Sequence, residues 1–149
     1  MKLCMFFLIA MFSLFSECKE KLDLFFLQIE QNLNEVQKIN KDIGAAPKGS
    51  DKRLTLIIKK EEIIGSMQGR LYTDILQKKI SSMDPRACDK LLVVKKLLES
   101  LDQMKGSSDN KWADEFENIL SSLKLLLNPS GVCPKEGKRP RKYKVEKYL

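Results

Sequence analysis

Lys138, Arg139, Arg141, Lys142 and Lys144 crowd five cations into seven consecutive positions near the end of the chain. None of them performs chemistry alone. Together they make an electrostatic trap for a polyanion. From Lys135 to Leu149 seven cations stand against two acids, which places +5 of the chain's +7 in fifteen residues. Few apolar groups are present there to bury, so the segment reads as a disordered, solvated basic tail. A bare solubility tail is the plainer alternative. The KRPR run also suits nuclear import or a minor-groove hook, but the export signal described below sets nucleic acid aside as a partner.

The second reactive pair is Cys88 and Cys133. In an oxidising compartment two cysteines read first as one disulfide, with two unrelated thiols as the alternative. No histidine occurs anywhere. That excludes Ser-His-Asp and Cys-His catalysis and imidazole metal sites. The carboxylates read as solvated helix-face charges. There is no glycine-rich phosphate loop, CxxC or HExxH, and Asn128 is followed by proline, which voids a glycosylation sequon. The sequence therefore predicts no enzyme, no cofactor and no metal.

Redox compartment is set by the start of the chain. Met1-Lys2 is a short positive entry, Leu3 to Phe15 is apolar except for Ser13, and Ser16-Glu17-Cys18 is a small, polar exit. This is the pattern of a secretory signal and is short for a bilayer span; an N-terminal membrane anchor is the alternative. Cleavage fits after Ser16 or after Cys18, and the latter leaves an even pair of cysteines. Without Lys2 and Glu17, 26 cations remain against 19 acids, still +7. The expected organisation is a signal peptide at 1–18, a helical domain at 19–134 and a basic tail at 135–149. The product is expected to be extracellular, with no membrane span after cleavage.

The elements that carry these residues show helical periodicity. The first helix is expected from Glu20 to Ile43, with Leu22, Phe25, Phe26, Ile29, Leu33, Val36, Ile39 and Ile43 on one face. In KRLTLIIKKEE, Leu54, Leu56 and Ile58 alternate as in a strand, but Ile57 breaks the alternation; strand and helix lead-in both stay open. The next stripe is Ile64, Met67, Leu71 and Ile75, widened by Tyr72, Leu76, Ile80 and Met83. Gly65 and Gly69 inside it either yield to tertiary packing or admit a second backbone. Asp84-Pro85 is expected to open the third helix, with Cys88, Leu91, Leu92, Val94, Leu97, Leu98, Leu101 and Met104 facing inward. SSDN opens the fourth, which carries Trp112, Phe116, Ile119, Leu120, Leu123, Leu126 and Leu127 and stops at Asn128-Pro129.

These stripes predict an all-α, four-helix-bundle fold. The seventeen-residue link from Gly44 to Lys60 is long enough to cross the bundle, which would set the first two helices parallel. If the third and fourth helices are antiparallel, Cys88 and Cys133 come to one end, where a bridge is natural.

The run SMQGRLYTDILQKKI is similar to the central helix of the interferon-gamma family, through Ser66, Tyr72 and Ile75-Leu76. EGKRPRKYK resembles that family's basic cluster after the last helix, and WADEFENIL its final helix with one spacer fewer. The resemblance implies a cytokine-like bundle, receptor engagement and heparan sulfate binding by the tail. The family's usual second helix after the third stretch is not visible, so a homodimer is left open. The Cys88–Cys133 pairing is closer to short-chain cytokines such as granulocyte–macrophage colony-stimulating factor.

The expected function is that of a secreted cytokine that binds cell-surface receptor chains. Its contacts would lie on the outer face of the first helix, at Gln28, Gln31, Glu35 and Lys38, and in the Gly44–Lys60 link. The tail would add sulfated glycosaminoglycan. Two other classes fit the same residues. One is a helical carrier of lipid lined by Phe25, Phe26, Met67 and Met104. The other is a cationic antimicrobial effector acting on anionic lipid.

Overall fold

The computed structural model describes the backbone of residues 2–127 and the side chains of residues 20–127. The chain forms four α-helices, α1 (Lys2–Ala45), α2 (Asp51–Arg70), α3 (Ala87–Gly106) and α4 (Lys111–Leu127), with a π-helical segment at Leu71–Leu76. No strand occurs among the described residues. The basic tail and Cys133 lie outside them.

Helix α1 starts at Lys2 instead of the expected Glu20 and runs for 44 residues. At 1.5 Å per residue that is about 66 Å, more than twice the length of α2. Its packed part begins at Leu22 and Phe25. Within the described helices, none is long and apolar enough to cross a membrane.

The KRLTLII stretch is helical, not a strand. Ser50 caps it from an extended conformation, φ −76° and ψ 149°, and its side chain accepts from the Arg53 N–H at 3.3 Å. That bond satisfies one of the donors that a helix start leaves unpaired. Gly49 makes the turn before it at φ 78°, where a side chain would be strained.

The link between the first two helices is therefore only residues 46–50, and it reverses the chain. Arg53 Nη1 donates to the Ile43 carbonyl at 2.8 Å, Lys59 pairs with Glu35 at 2.6 Å, and Arg70 Nη1 donates to Gln28 Oε1. As α2 ascends in number its partners on α1 descend. The two are antiparallel, and the crossing link expected from the sequence is absent because helix fills most of it.

The remaining neighbours repeat the pattern. Gln68 and Lys60 of α2 meet Asp102 and Ser107 at the end of α3, and Lys124 and Asn110 of α4 meet Phe26 and Asn40 of α1. Each helix packs on two neighbours, α1 on α2 and α4, α3 on α2 and α4. The result is an up-down-up-down bundle with short connections, distinct from the up-up-down-down arrangement with two long crossovers.

One core unites all four helices. Phe26, Ile29, Leu33, Ile64, Met67, Leu71, Leu97, Leu101, Phe116 and Leu123 are all less than 2 % exposed. Burying each such side chain contributes about 1.5–3 kcal/mol against leaving it in water. Most of the periodic positions are buried, those at the edges of the stripes such as Leu76, Leu98 and Trp112 are half-buried, and four lie outside. Tyr72, Met83, Cys88 and Leu91 are exposed. Tyr72 lies where the helix loosens: Gln77 N donates to Tyr72 O at 3.1 Å, an i to i+5 bond. That wider turn keeps Leu71 and Ile75 inward and leaves Tyr72 outside.

The third helix begins at Ala87, two residues later than its Asp-Pro signal suggests. Asp84 still closes a turn ahead of it. Its carboxylate accepts from the Arg86 N–H at 2.9 Å and pairs with Lys90, and its carbonyl accepts from Ala87 N at 3.0 Å. The fourth helix opens as expected. Asp109 Oδ1 accepts from Lys111 N at 3.1 Å, and the Asn110 carbonyl accepts from Ala113 N at 3.0 Å.

Candidate binding surface

Gln28, Gln31, Glu35 and Lys38 fall on one side of α1, but the structure divides them. Gln31 and Lys38 are exposed. Gln28 and Glu35 are half-buried and committed to α2, through Arg70 and Lys59. The Glu35–Lys59 pair is open to water, so it contributes roughly 0.2–1 kcal/mol. A partner docking on this face meets Gln31 and Lys38 freely, and must displace intramolecular bonds to use the other two. Leu24 and Leu27, 53 % and 49 % exposed, extend the same side by one turn.

Phe25, Phe26, Met67 and Met104 lie in the continuous core, all at most 5 % exposed. Phe25 and Phe26 pack edge to face with centroids 5.2 Å apart. They pack within the core cluster. Cys88 is exposed on the first turn of α3, and its expected partner Cys133 lies outside the described residues. So do Lys138, Arg139, Arg141, Lys142 and Lys144.

Periodicity could not locate a polar bracket at the base of the bundle. Asn40 is 3 % exposed. Its Nδ2 donates to the Asp109 carbonyl at 3.0 Å and to Asn110 Oδ1 at 2.9 Å, while Asn110 Nδ2 donates to the Gln37 carbonyl at 3.2 Å. Lys60, also 3 % exposed, donates through Nζ to the Ser107 carbonyl at 2.7 Å. Burial pushes its pKa down, and neighbouring Glu61 pulls it back up. Asn40 and Lys60 thus hold the α3–α4 turn from two sides. At the opposite end, Lys90 and then the Arg86 backbone N–H hold the Asp84 carboxyl below the usual carboxylate range, against a smaller desolvation penalty.

Helix α2 and the π-helical turn that follows it carry a second exposed side. Leu54, Ile58, Glu61, Gly65, Gly69 and Tyr72 recur at steps of three and four over five turns, and all are exposed. A Cβ placed on Gly65 or Gly69 would meet nothing within 4 Å. No neighbouring backbone occupies the notch among the described residues, and the packing of Ile64 and Met67 on the opposite face carries the helix past both glycines. Each glycine costs about 1 kcal/mol relative to alanine in a helix interior.

Among the described residues no cluster of three His, Cys, Asp or Glu side chains is placed to hold a metal. Fold and surface together define an antiparallel four-helix bundle in which α1 and α2 each expose apolar side chains beside polar ones. Compared with known proteins, the chain matches no family model, no curated protein and no solved structure.

Proposed function

We propose that this protein acts by binding and not by chemistry, as an exported helical ligand for a cell-surface receptor of the cytokine class, held near the cell by its basic tail. The observation that carries the proposal is the segregation of charge. Residues 19–134 hold 19 cations and 17 acids, a net of +2, while residues 135–149 hold seven and two, a net of +5. A nearly neutral body joined to a strongly positive end separates shape recognition from long-range attraction to sulfated polysaccharide. The tail's share weakens as salt rises, because the Debye length falls.

The up-down-up-down topology gives no ground for kinship with up-up-down-down cytokines. The reading rests on the export signal, the absence of histidine and the charge asymmetry. On the bundle itself, Gln31, Lys38, Leu24 and Leu27 offer a receptor the exposed side of α1.

The test is to apply the purified chain from Lys19 to leukocytes and follow phosphorylation of STAT-type signalling proteins. A signal that falls with Gln31→Ala and Lys38→Ala together supports the receptor reading. Silence across a panel of leukocyte types overturns it. Leakage of anionic vesicles in the same concentration range would place the protein among membrane-active effectors instead.

A further inference from the structure

We propose that the outer stripe of α2 is the docking site for this chain's own C-terminal segment, residues 138–149. The inference stands on the bundle and the sequence, and does not depend on a receptor.

The stripe has the shape of a seat. Leu54 and Ile58, 59 % and 49 % exposed, stand at one end and Tyr72, 56 % exposed, at the other. Between them Gly65 and Gly69 leave a bare length of helix with open space above it. Glycines there weaken the helix and return nothing to the bundle's own packing. They allow a second chain to lie close to the α2 backbone, with apolar side chains to cover at either end.

Charge selects the occupant. Arg53, Lys59 and Arg70 of α2 reach to α1, Lys60 reaches to Ser107, and Lys52, nine positions before Glu61, lies about half a turn round the helix from it. Glu61 stands in the stripe itself and Glu62 on its flank, and both are exposed. An acidic, apolar seat calls for a basic segment with apolar groups. KRPRKYKVEKYL has six cations, one acid, and Tyr143, Val145, Tyr148 and Leu149. A second copy of α2 is the poorer fit, since a parallel two-fold at the glycines sets Glu61 and Glu62 beside their own copies, and an antiparallel one sets them opposite Thr73 and Tyr72, with no cation to pair.

Reach permits it. The last turns of α4 lie level with Phe26 of α1, and the end of α2 lies level with Gln28, so Leu127 and Tyr72 are at the same end of the bundle. Residues 128–137 can span up to about 33 Å, more than the diagonal of four helices whose axes lie roughly 10 Å apart. Twelve further residues cover up to about 40 Å, while Leu54 to Tyr72 rises about 27 Å. Docking here and capture of a polyanion draw on the same cations, so each competes with the other.

Amide resonances of the isotope-labelled protein test the proposal. Among the described residues the core and the side chains packed on it lie between Leu22 and Leu127, so a chain ending at Pro134 keeps all of them. Removing 135–149 is expected to shift resonances of residues 54–72 selectively. Added peptide of sequence 138–149 should restore them, and do so less well as salt rises. Gly65→Leu, which fills open space and keeps the helix, should weaken that peptide about tenfold or more with melting unchanged or raised. Unmoved stripe resonances on tail removal overturn the proposal. So does equal binding by a scrambled peptide, or by Gly65→Leu. Stripe shifts that follow protein concentration and ignore the tail would show a second copy there and overturn it too.

Discussion

Asn40 and Asn110 are seventy positions apart in sequence, and the Asn40 side-chain amide donates to the Asn110 side-chain oxygen at 2.9 Å. This bond and its companion to the Asp109 carbonyl tie the start of α4 to the end of α1. Asn40→Ala leaves two partly buried acceptors without their donor, which costs about 0.5–1.5 kcal/mol. Asn40→Asp is expected to be worse, because a carboxylate would face two oxygen acceptors. Urea unfolding followed by circular dichroism reads both.

Gly65→Ala and Gly69→Ala should each stabilise the bundle by up to about 1 kcal/mol, because the added methyl meets nothing and the helix gains propensity. Gly49→Ala should do the reverse by about 1 kcal/mol, since φ 78° is strained for an L side chain. The signs must differ in thermal melts of the three variants. The opposite pattern would contradict the open space beside Gly65 and Gly69 and the left-handed turn at Gly49.

Much of this was legible in the residues. Ile29, Leu33, Val36, Phe116 and Leu123 announce buried helix faces by spacing alone, and SSDN announces the start of α4. What stayed hidden had physical reasons. Leu54, Leu56 and Ile58 alternate like a strand, and only the Ser50 cap and the burial of Lys60 show that the helix wins. With that helix unseen, residues 46–50 looked like part of a long crossing link and the topology came out parallel. Asn40 and Asn110 meet across two helix ends, a pairing that no local period encodes. Tyr72 carries the right spacing but sits on a π-turn. The candidate α1 face was legible as a face, but not the capture of Gln28 and Glu35 by α2.

Core packing predicts a steep contrast between two large apolar side chains. Phe116→Ala should cost about 3–5 kcal/mol, as Phe116 is fully buried among all four helices. Met83→Ala should change stability by no more than about 0.5 kcal/mol, because Met83 is 92 % exposed. Denaturant midpoints at a constant m value check the pair.

Asp84 gives the pH dependence. Its side chain and that of Lys90 are 18 % and 12 % exposed, and its folded-state pKa lies below the ordinary value. A carboxyl whose pKa is depressed by folding stabilises the protein above the unfolded value and loses that contribution as pH falls through the folded one. Asp84→Asn should therefore be less stable than the parent at pH 7. The gap should close as pH drops through and below the usual carboxylate range. A gap that persists unchanged at low pH would show that Asp84 acts by shape alone.

The most direct measurement is elution from immobilised heparin of the chain from Lys19 to Leu149 beside the same chain ended at Pro134. If a compact, nearly neutral bundle is held to polyanions by its terminal cations, the longer chain is retained until the salt gradient is well advanced, and the shorter one runs through at low salt. Equal retention of the two would place the polyanion site on the bundle and contradict the account.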